Sequence, residues 1–589
     1  MTDDPAQVIR LAVGEGEVLS APTGSSSAPV PANDDGEAHG DETGGDDGQG
    51  PSIDPAILRE CAGLDQNDTD NGRRLLLHFS DDILFVREVG WHAWADTHWE
   101  VEGGDERVQK LAQETARRIK LEPPFFEHGR TDKALVEAAE HLRGKDFGAL
   151  TDAEKETLKA ADKARDRLGR KRSDRKKFGI SSGNRSRTVA MIAQAAPHRT
   201  IAPSVMDAHP RLFNLQNGTL VFSRKVTQVP DPDCPDPDVE RLVEKVDVEI
   251  TLRQPHRRED LIAKIAPLRF DKNAECKRWD TFMERFQPDE KQRRFLQAAA
   301  GRALLGGAST QVLIFLYGDG ANGKSVFMET LAQLLGAYAG RLKPESITGA
   351  MEQSGDKATP DFARLTGKRF VAIAELPKGA PLREGLVKTM TGSEPMPVRH
   401  LNHGFFDLIP EFIPFMSGNQ MPEISGLDRG IWRRIKFVHW PVTIPDEEQK
   451  PLPVVVAEHL EESSGILNWL IEGARIFLRE GLVDPPAVKK LGEEHRSDLD
   501  PVGQFTRHCV VEAMGKSVQA RSMYQAFLSY CAANSIRPWK EKSFSLAMKQ
   551  KGFTRQDNRI RVWVDVELQD VPAMPDEQPR SPNPDEVIQ

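Results

Sequence analysis

The sequence predicts an α/β fold built around a mostly parallel sheet, and two observations lead to that prediction. Apolar strand patterns alternate with helical patterns through the middle of the chain, as in "QVLIFLYG", "KRFVAIAEL" and "PEFIPFMSGN". Such alternation is typical of parallel sheets that are covered by helices on both faces. A glycine-rich loop, "GDGANGKS", also joins the first of these strands directly to the helical pattern "SVFMETLAQLLG".

The charge of the chain is unevenly distributed. Its 589 residues carry a formal charge of −11, with acids concentrated at 34–47, whereas 163–187 contain eleven Lys/Arg against two Asp. A nucleic-acid partner is compatible with the negative total because binding depends on the local patch. The alternative for the basic run is an ordinary solvated helix.

Cysteine spacing and hydropathy exclude several classes of protein. None of the five cysteines forms a CxxC pair, which argues against a zinc ribbon and a disulfide framework. No run approaches eighteen apolar residues, and no secretory signal opens the chain. We therefore expect a soluble protein of the cytoplasm with reduced, mostly structural thiols and no membrane partner.

Composition and pattern divide the chain into five segments, because one core cannot serve this length. Both ends are rich in Pro, Gly, Ser and acids, with too little apolar surface to offset the entropy of ordering. The predicted segments are a disordered acidic tail at 1–70, an α+β module at 71–270, an α/β domain with flanking helices at 271–500, a winged-helix-like domain at 501–568 and a disordered tail at 569–589.

The α+β module should begin with short strands, because "DDILFVREVGWHAWADTHWEVEGG" alternates apolar and polar residues. We expect Trp91, Trp94 and Trp99 to pack in a core rather than to stack on nucleic acid. Helical patterns follow from about residue 107 to 200, and "LFNLQNGTLVF" predicts a hairpin around Asn217-Gly218.

Helices are predicted at "KRWDTFMERF", "EKQRRFLQAAAGRALLGG" and "ESSGILNWLIEGARIFLREGL". Residues 517–568 then predict two helices and a strand pair, the order of a winged helix-turn-helix. Its cations could form a face for duplex DNA, such as an origin, although a domain that only packs or binds protein is the alternative. These cations are Arg521, Lys540, Lys542, Lys549, Lys551, Arg555, Arg559 and Arg561.

The glycine loop fits the phosphate-binding pattern GxxxxGK[ST] in full. Its residues are Gly318, Asp319, Gly320, Ala321, Asn322, Gly323, Lys324 and Ser325. Glycines let backbone N–H groups surround phosphate oxygens, and the dipole of the following helix favours an anion. Lys324 can reach the β- and γ-phosphates of ATP and Ser325 can hold Mg²⁺, whereas the alternative is a turn that merely caps a helix.

Hydrolysis also needs a carboxylate, a group that positions water and a positive charge. Glu375 ends one predicted strand and Asn419 ends another, so both should emerge at the carboxyl edge of the sheet. Beyond them lie Arg429, Arg433 and Arg434, and an arginine there could serve as a finger to a neighbouring subunit's γ-phosphate. Surface salt bridging is the alternative for at least one of these arginines.

This order of features resembles the superfamily 3 helicases, and more narrowly the phage and plasmid primase-helicase family related to the poxvirus primase-helicase. "GDGANGKSVF" resembles motif A, "RFVAIAELPKGAPLREGLVKTMTGSEPMPVRHL" resembles motif B and the B′ region, and "FMSGNQMPEISGLDRGIWRRIKFVHW" resembles motif C with the finger segment. "WHAWADTHW" and "FNLQNGTL" add to the resemblance, which covers about residues 75–565.

The resemblance implies a P-loop NTPase of the AAA+-like, superfamily 3 helicase type at 271–500. It implies a homo-hexameric ring that hydrolyses ATP with Mg²⁺ and moves along single-stranded DNA in a bacterial host cell. Lys324 and Ser325 would bind phosphate and metal, Glu375 would be the catalytic and metal-side acid, and Asn419 would be the sensor. Arg433 or Arg434 would be the finger that acts in trans.

The same resemblance implies a hairpin that touches DNA phosphates in the pore. Its residues would be Lys388, Arg399, His400 and His403. The residues support that role independently, because a basic, His-containing turn lies between two apolar segments. The alternative is that His400 and His403 are ordinary loop histidines.

Two departures from the family pattern stand out. Leu376-Pro377-Lys378 follows Glu375 where a second acid often stands, so Glu375 acts alone or Asp361 or Glu394 assists. The first 70 residues also offer no evident primase domain and no CxxC pair. We therefore expect no primer synthesis from this chain, and a separate primase or polymerase as a partner.

Three functions compete at this point. An ATP-driven replicative helicase of a phage, prophage or plasmid is the first. An origin- or terminus-binding switch that assembles with ATP but does not unwind is the second. A small-molecule kinase is disfavoured because it needs neither an arginine cluster nor a winged helix.

Overall fold

The computed structural model describes eight stretches of the chain, which are 53–231, 241–307, 310–349, 360–377, 380–399, 404–424, 429–557 and 559–573. The chain divides into two compact units. The first comprises Met1–Ala208 with His256–Lys264, and the second comprises His209–Pro255 with Ile265–Gln589.

Within the described residues, the first helix spans Pro55–Ala62, inside the stretch for which the sequence predicts a disordered tail. This helix buries Leu58, Cys61 and Ala62. The sequence does not reveal its apolar side because polar residues surround it. The elements of this unit are α1 (Pro55–Ala62), α2 (Asp68–Phe79), β1 (Ile83–Val86), β2 (Gly90–Trp94), β3 (Trp99–Glu100), α3 (Gly104–Ile119), α4 (Arg130–Leu142), α5 (Asp152–Ser182), α6 (Arg185–Arg199) and β4 (Thr200–Ile201).

The predicted small sheet is present and has the order β3-β2-β1-β4. Trp91, Trp94 and Trp99 are all buried, and the rings of Trp94 and Trp99 meet edge to face with centroids 5.5 Å apart. The expectation that these tryptophans form a core is therefore confirmed. Met191 and Ala195 of α6 belong to the core in which the helices pack against the sheet.

A buried ion network ties α2 and α5 together. The carboxylate of Glu122 accepts hydrogen bonds from Arg74 and Arg175, and all three side chains are almost fully buried. The guanidinium groups also donate to the carbonyl oxygens of Cys61 and Leu64. Because an unpaired buried charge costs several kcal/mol, this arrangement fixes α1, α2 and α5 in one geometry.

The second unit begins with a three-stranded antiparallel sheet. Its order is β5-β6-β7, and the predicted hairpin joins the first two strands. Its turn is Gln216-Asn217, one residue before the predicted Asn217-Gly218, because Leu215 pairs with Gly218. Two helices follow at the predicted positions. The elements are β5 (Leu212–Leu215), β6 (Gly218–Pro230), β7 (Leu242–Arg253), α7 (Lys277–Phe286) and α8 (Glu290–Gly301).

A five-stranded parallel sheet forms the centre of this unit. Its elements are β8 (Leu313–Tyr317), α9 (Lys324–Leu335), β9 (Ala339–Leu342), α10 (Pro360–Ala363), β10 (Phe370–Ile373), α11 (Glu384–Met390), β11 (Met396–Val398), β12 (Phe406–Leu408), β13 (Ile413–Gly418), α12 (Arg429–Trp432) and β14 (Ile435–His439). The strand order is β14-β8-β13-β10-β9, while β11 and β12 form a separate antiparallel pair. The predicted α/β fold with a parallel sheet is thus observed.

The central strands are apolar throughout because both faces of the sheet are covered. Ile314 and Phe415 belong to the core on one face, whereas Phe315 and Met416 belong to the core on the other. Side chains alternate across a strand, so each strand supplies both cores in turn. That double burial explains the continuous apolar runs in the sequence.

The chain ends in a helical layer and a small mixed module. The elements are α13 (Leu452–Leu460), α14 (Ser463–Glu480), α15 (Pro486–Asp498), α16 (Pro501–Cys509), β15 (Val510–Gln519), α17 (Ala520–Ala533), α18 (Glu541–Gln550), β16 (Arg555–Asp557) and β17 (Arg561–Leu568). The module has a three-stranded sheet, β15-β17-β16, where the sequence predicts only a strand pair. The strand that the sequence does not predict, β15, is mostly exposed and lacks the alternation of apolar and polar residues that indicates a strand.

The four cysteines within the described residues, Cys61, Cys276, Cys509 and Cys531, are buried free thiols. Burial raises the pKa of Cys61 and of Cys276 to about 12, which makes both thiols unreactive. Cys234 lies outside the described residues. Among the helices of the described stretches, none combines the length and apolarity needed to cross a bilayer.

Candidate nucleotide site

The glycine loop connects the carboxyl end of β8 to the first residue of α9. Gly320 and Gly323 have φ angles of +89° and +83°, in the left-handed region that other residues resist. Ala321 also has a positive φ, +43°. The loop therefore turns its backbone sharply enough to start α9 at Lys324, with the amino end of the helix facing the loop.

Residues that follow β14 hold this loop in place. The side-chain amide of Asn322 donates to the carbonyl of Trp440 at 3.3 Å, and the N–H of Ile444 donates to the carbonyl of Ala321 at 2.7 Å. A Cβ at Gly318 would lie 2.5 Å from the Trp440 carbonyl oxygen, so that position requires glycine. The loop thus rests on a fixed neighbouring strand end.

Lys324 carries a buried charge in a cage of oxygens. Its side chain is 4% exposed, and Nζ donates to the carbonyl of Gly318 at 2.7 Å, to Oδ1 of Asn322 at 2.8 Å and to Oδ1 of Asn419 at 3.3 Å. Burial lowers the pKa of this lysine to about 8, and the negative charges of Glu375 and Asp319 oppose that shift. The ammonium group is therefore bound by neutral oxygens rather than by a carboxylate in a salt bridge.

Glu375 and Asn419 meet at the same edge of the sheet. Asn419 directly follows β13, while Glu375 lies two residues beyond β10 rather than at its end. The segment after β10 stays beside β13, because the N–H of Leu376 donates to the carbonyl of Ser417 at 3.1 Å. The amide nitrogen of Asn419 donates to Oε1 of Glu375. One amide therefore contacts both the lysine and the carboxylate.

Other acids named from the sequence have different surroundings. Asp361 accepts a hydrogen bond from the hydroxyl of Ser346 at 2.8 Å, and Glu394 is exposed in the turn before β11. Asp319 is exposed within the loop, and Ser325 is exposed in the first turn of α9. Glu375 is thus the carboxylate that the structure brings into contact with the Lys324 and Asn419 cluster.

The two arginines lie at the opposite edge of the sheet. They precede β14, and the carbonyl of Arg434 accepts from the N–H of Leu313 at the start of β8 at 2.7 Å. Arg433 is exposed and donates to Oε1 of Gln311 at 3.3 Å, beside a cavity of about 360 Å³. Arg434 is half-buried and donates to the carbonyl of Gly430 at 2.8 Å. Of the two arginines, Arg433 is therefore the more exposed.

The predicted DNA hairpin corresponds to β11 and β12. Arg399 directly follows β11, and its guanidinium carbon lies 4.7 Å from the centre of the Phe405 ring, just before β12. Lys388 lies on α11, half-buried. His400 and His403 lie outside the described residues.

Sequence reasoning missed two groups of residues. Phe405 is 51% exposed, which is unusual for an aromatic side chain, and its position next to a basic turn was the available signal. Trp440 and Ile444 support the glycine loop through backbone groups. No sequence pattern reveals such contacts, because the backbone atoms involved are common to every residue.

Three comparisons relate the chain to known proteins. The family described as "D5 N terminal like" matches residues 72–288. A protein described as "Putative helicase 022R" of Frog virus 3 (isolate Goorha) is 26% identical over 264 residues, which are 42% of this chain and 27% of that protein. "Putative helicase L207/L206" of Acanthamoeba polyphaga mimivirus is 26% identical over 43% of this chain and 28% of that protein.

"Putative primase C962R" of African swine fever virus (isolate Tick/Malawi/Lil 20-1/1983) is 24% identical over 38% of this chain and 25% of that protein. The matches thus span about a quarter of the length of these curated relatives. Among solved structures, "The A form apo structure of NrS-1 C terminal region-CTR" covers 52% of this chain and 80% of that chain. Its identity is 12% and its TM-score 0.34, too low to support a conclusion.

The loop geometry gives a matched pair of substitutions. Gly323 and Gly320 share a positive φ, but a Cβ at Gly323 would lie 3.0 Å from the ring of Phe282, whereas a Cβ at Gly320 meets open space. We expect Gly323→Ala to destabilise the second unit by about 1–2 kcal/mol more than Gly320→Ala, because only Gly323→Ala overpacks the core. Thermal unfolding of the ligand-free variants measures this difference, and equal melting temperatures would contradict it.

Proposed function

We propose that this chain, which belongs to the D5-like primase-helicase family, is an ATP-driven DNA helicase of a phage, prophage or plasmid replication system. In this proposal, hexameric rings hydrolyse ATP and translocate on single-stranded DNA. The observation that carries the proposal is the contact from Lys324 through Asn419 to Glu375 at the end of a glycine loop. Relatives described as helicases support the same class of activity.

The loop fits a triphosphate by charge and by geometry. All three acceptors of Lys324 are neutral oxygens, so phosphate oxygens would be stronger partners for the ammonium. The amino end of α9 adds unpaired N–H groups and a favourable dipole. The hydroxyl of Ser325 and the carboxylate of Glu375 are exposed oxygen ligands of the kind Mg²⁺ prefers, and the ion would neutralise charge on the triphosphate.

Asn419 can couple the triphosphate to the attacking water. Its Oδ1 contacts Lys324 and its Nδ2 contacts Glu375, so movement of the lysine toward a phosphate would change the partners of the amide. Glu375 would then orient a water molecule and accept its proton. This arrangement supports a sensor role for Asn419 and a base role for Glu375.

The position of Arg433 favours action on another subunit. The glycine loop follows β8, whereas Arg433 precedes the parallel strand β14, so the length of a strand separates them. Five residues of strand span about 16 Å, beyond the reach of one arginine side chain. Arg433 can therefore meet a γ-phosphate only across an interface between subunits, which supports assembly into a ring.

The hairpin of β11 and β12 supplies a contact for single-stranded DNA. The exposed ring of Phe405 can stack on a base, and the guanidinium of Arg399 beside it can meet a phosphate. A stacking aromatic next to a cation is the usual means of gripping single strands without reading their sequence. Lys388 of α11 remains a proposed phosphate contact, together with His400 and His403 from the sequence between β11 and β12.

The carboxyl-terminal module favours a second candidate function, an ATP-dependent switch that assembles on an origin without unwinding it. Its order of helix, strand, two helices and two strands supports a winged-helix assignment. Helix α18 exposes Lys542, Leu546 and Lys549 on one side, as a helix that enters a DNA groove would. Lys551 is paired with Asp500 and Arg555 with Asp557, which gives these two cations structural roles, and Asp557 also lies 3.8 Å from Lys549.

Hydrolysis of ATP with and without single-stranded DNA tests the main proposal. We expect turnover by the intact protein to rise severalfold with DNA, because the hairpin and the nucleotide site share one unit. Lys324→Ala should abolish both rates. Equal rates of ATP hydrolysis with and without DNA would contradict the helicase proposal and favour the origin switch.

The same assay locates the DNA contact. Phe405→Ala should keep the basal rate and require at least tenfold more DNA for half-maximal stimulation, because a stacked base contributes about 1–3 kcal/mol. Phe147→Ala, at an aromatic residue of the first unit that is 71% exposed, is the matched control and should behave as the unchanged protein. Equal DNA requirements for both variants would remove Phe405 from the interface.

Mixing two inactive variants tests whether Arg433 acts in trans. Lys324→Ala and Arg433→Ala should each lose turnover, about a thousandfold or more for the arginine. In an equal mixture about a quarter of interfaces would combine an intact lysine with an intact arginine from the neighbour, and activity should return in proportion.

The control for this mixing experiment replaces Arg433→Ala by the double variant Lys324→Ala/Arg433→Ala, which cannot complement Lys324→Ala. No recovery beyond that control would show that the arginine does not act across subunits. Normal turnover by Arg433→Ala alone would remove it from catalysis.

The pKa of Lys324 predicts how nucleotide affinity depends on pH. Burial lowers this pKa to about 8, and a triphosphate would bind the charged form, so binding should take up a proton. Affinity should be highest below pH 8 and fall about tenfold by pH 9, as the ammonium is lost. Calorimetric titration between pH 7 and 9 measures this, with Lys324→Met as the pH-independent control. A wild-type affinity that stays level would contradict the prediction.

A further inference from the structure

The basic run at 163–187 separates into two parts in the structure. Its first part is largely consumed by contacts within the first unit, because Arg167 pairs with Asp132, Arg165 lies 3.6 Å from Glu140, and Arg175 is buried against Glu122. Arg165 and Arg167 join α5 to α4, whereas Arg175 joins α5 to Glu122. The charges of these three arginines are therefore paired within the unit.

The second part of the run projects into solvent. Arg170, Lys176, Lys177 and Arg185 are exposed, and Lys177 alone among them has an ion pair in the part of the chain that the structure describes, 3.6 Å from Asp174. We name these four residues, together with Lys120, the basic surface. Acids to match it are scarce, since 163–187 contain only two Asp.

Helix geometry gives the basic surface a length and a direction. Arg170 and Lys177 are seven residues apart on α5, so they lie on the same side, two turns or about 10.5 Å apart. Lys120 packs against α5 at Gly179, about one turn beyond Lys176, because a Cβ built at Gly179 would lie 2.8 Å from Cγ of Lys120. Arg185 begins α6 after a two-residue turn. Because Lys176 lies about 100° around the helix from Lys177, the cations form a strip that wraps part of the way around the last turns of α5.

The rest of the same helical hairpin has the opposite charge. Residues 130–162 contain six Lys/Arg against eight Asp/Glu, and exposed acids such as Glu137 and Glu156 are interspersed with the cations there. The positive charge is thus confined to one end of α5 rather than spread over a solvated face. Exposed Ser173 and Ser186 within the strip add hydroxyl donors of the kind that phosphates accept.

We propose that the basic surface binds the phosphodiester backbone of duplex DNA without reading its sequence, at a site separate from the hairpin of β11 and β12. The strip contains one paired acid, Asp174, against five cations, so it keeps a net positive charge that fits a polyanion. The strip has no exposed aromatic side chain for stacking on unpaired bases, so recognition rests on the backbone. This site stands whether or not the chain hydrolyses ATP.

The test uses the full chain without nucleotide. Binding of fluorescein-labelled 30-base-pair DNA and of a 30-nucleotide single strand is followed by anisotropy over a range of salt concentrations. The variant is Arg170→Gln/Lys176→Gln/Lys177→Gln, and the matched control is Arg130→Gln/Lys133→Gln/Lys159→Gln. The control removes the same charge from exposed positions of the same unit.

We expect the variant to bind duplex at least tenfold more weakly at low salt and to lose about 2–3 units from the slope of log K against log salt, while the control changes little. Binding of the single strand should change less than that of the duplex. Arg185→Gln should remove about one further unit of slope. Far-ultraviolet circular dichroism and gel filtration establish that each variant is folded.

Equal affinity and slope in the variant and in the control would overturn the proposal and leave an acidic protein segment as the occupant of the strip. A larger loss for the single strand than for the duplex would overturn the assignment to duplex. Ultraviolet cross-linking of the unchanged protein to duplex, followed by peptide mapping, gives an independent result. Cross-links should fall in 170–187, and their absence there would contradict the site even if the variant fails to fold.

Discussion

The candidate site depends on one constraint, the level at which parallel strands of the central sheet end. Tyr317 of β8 is paired with Gly418 of β13 on one side and with His439 of β14 on the other. The residue that follows each strand therefore emerges at the same height. Those residues are the first glycine of the loop, Asn419, and Trp440, which supports the loop through its carbonyl. A slip of one residue would move any of these groups by about 3.3 Å and turn it to the other face.

At this edge of the sheet, the buried charge of Lys324 is the feature that costs the most free energy. Burial lowers the pKa of Lys324 to about 8, so the charged form is disfavoured relative to water. Three oxygens compensate part of this cost, and they come from the loop and from the end of β13. Phosphate oxygens would supply the remainder. The site is therefore organised before any ligand arrives, and an anion would relieve it.

Much of the fold follows from the sequence because its signals are local. The strands of the parallel sheet are apolar on both faces, and the hairpin of β5 and β6 has Asn-Gly between apolar runs, so both could be predicted, the turn to within one residue. The exposed strand β15 and the early helix α1 could not, because neither has a pattern that distinguishes it from a loop. The contact between Asn419 and Glu375 depends on the order of strands in the sheet. That order joins residues 44 positions apart and is not a property of either segment.

The same distinction explains the arginines and lysines of this chain. A cation that has an acid or a set of carbonyls within reach becomes part of the fold, as Arg175 does against Glu122 and Arg434 does against Gly430. A cation without them remains available, as Arg433 does at the amino edge of the sheet. Residue type alone cannot separate the two cases, since Arg433 and Arg434 are adjacent. The direction of the parallel strands also limits what Arg433 can contact, because it places this residue a strand's length from the glycine loop of its own subunit. If such an arginine serves catalysis, the chain must be an incomplete enzyme by itself, and assembly supplies the missing charge.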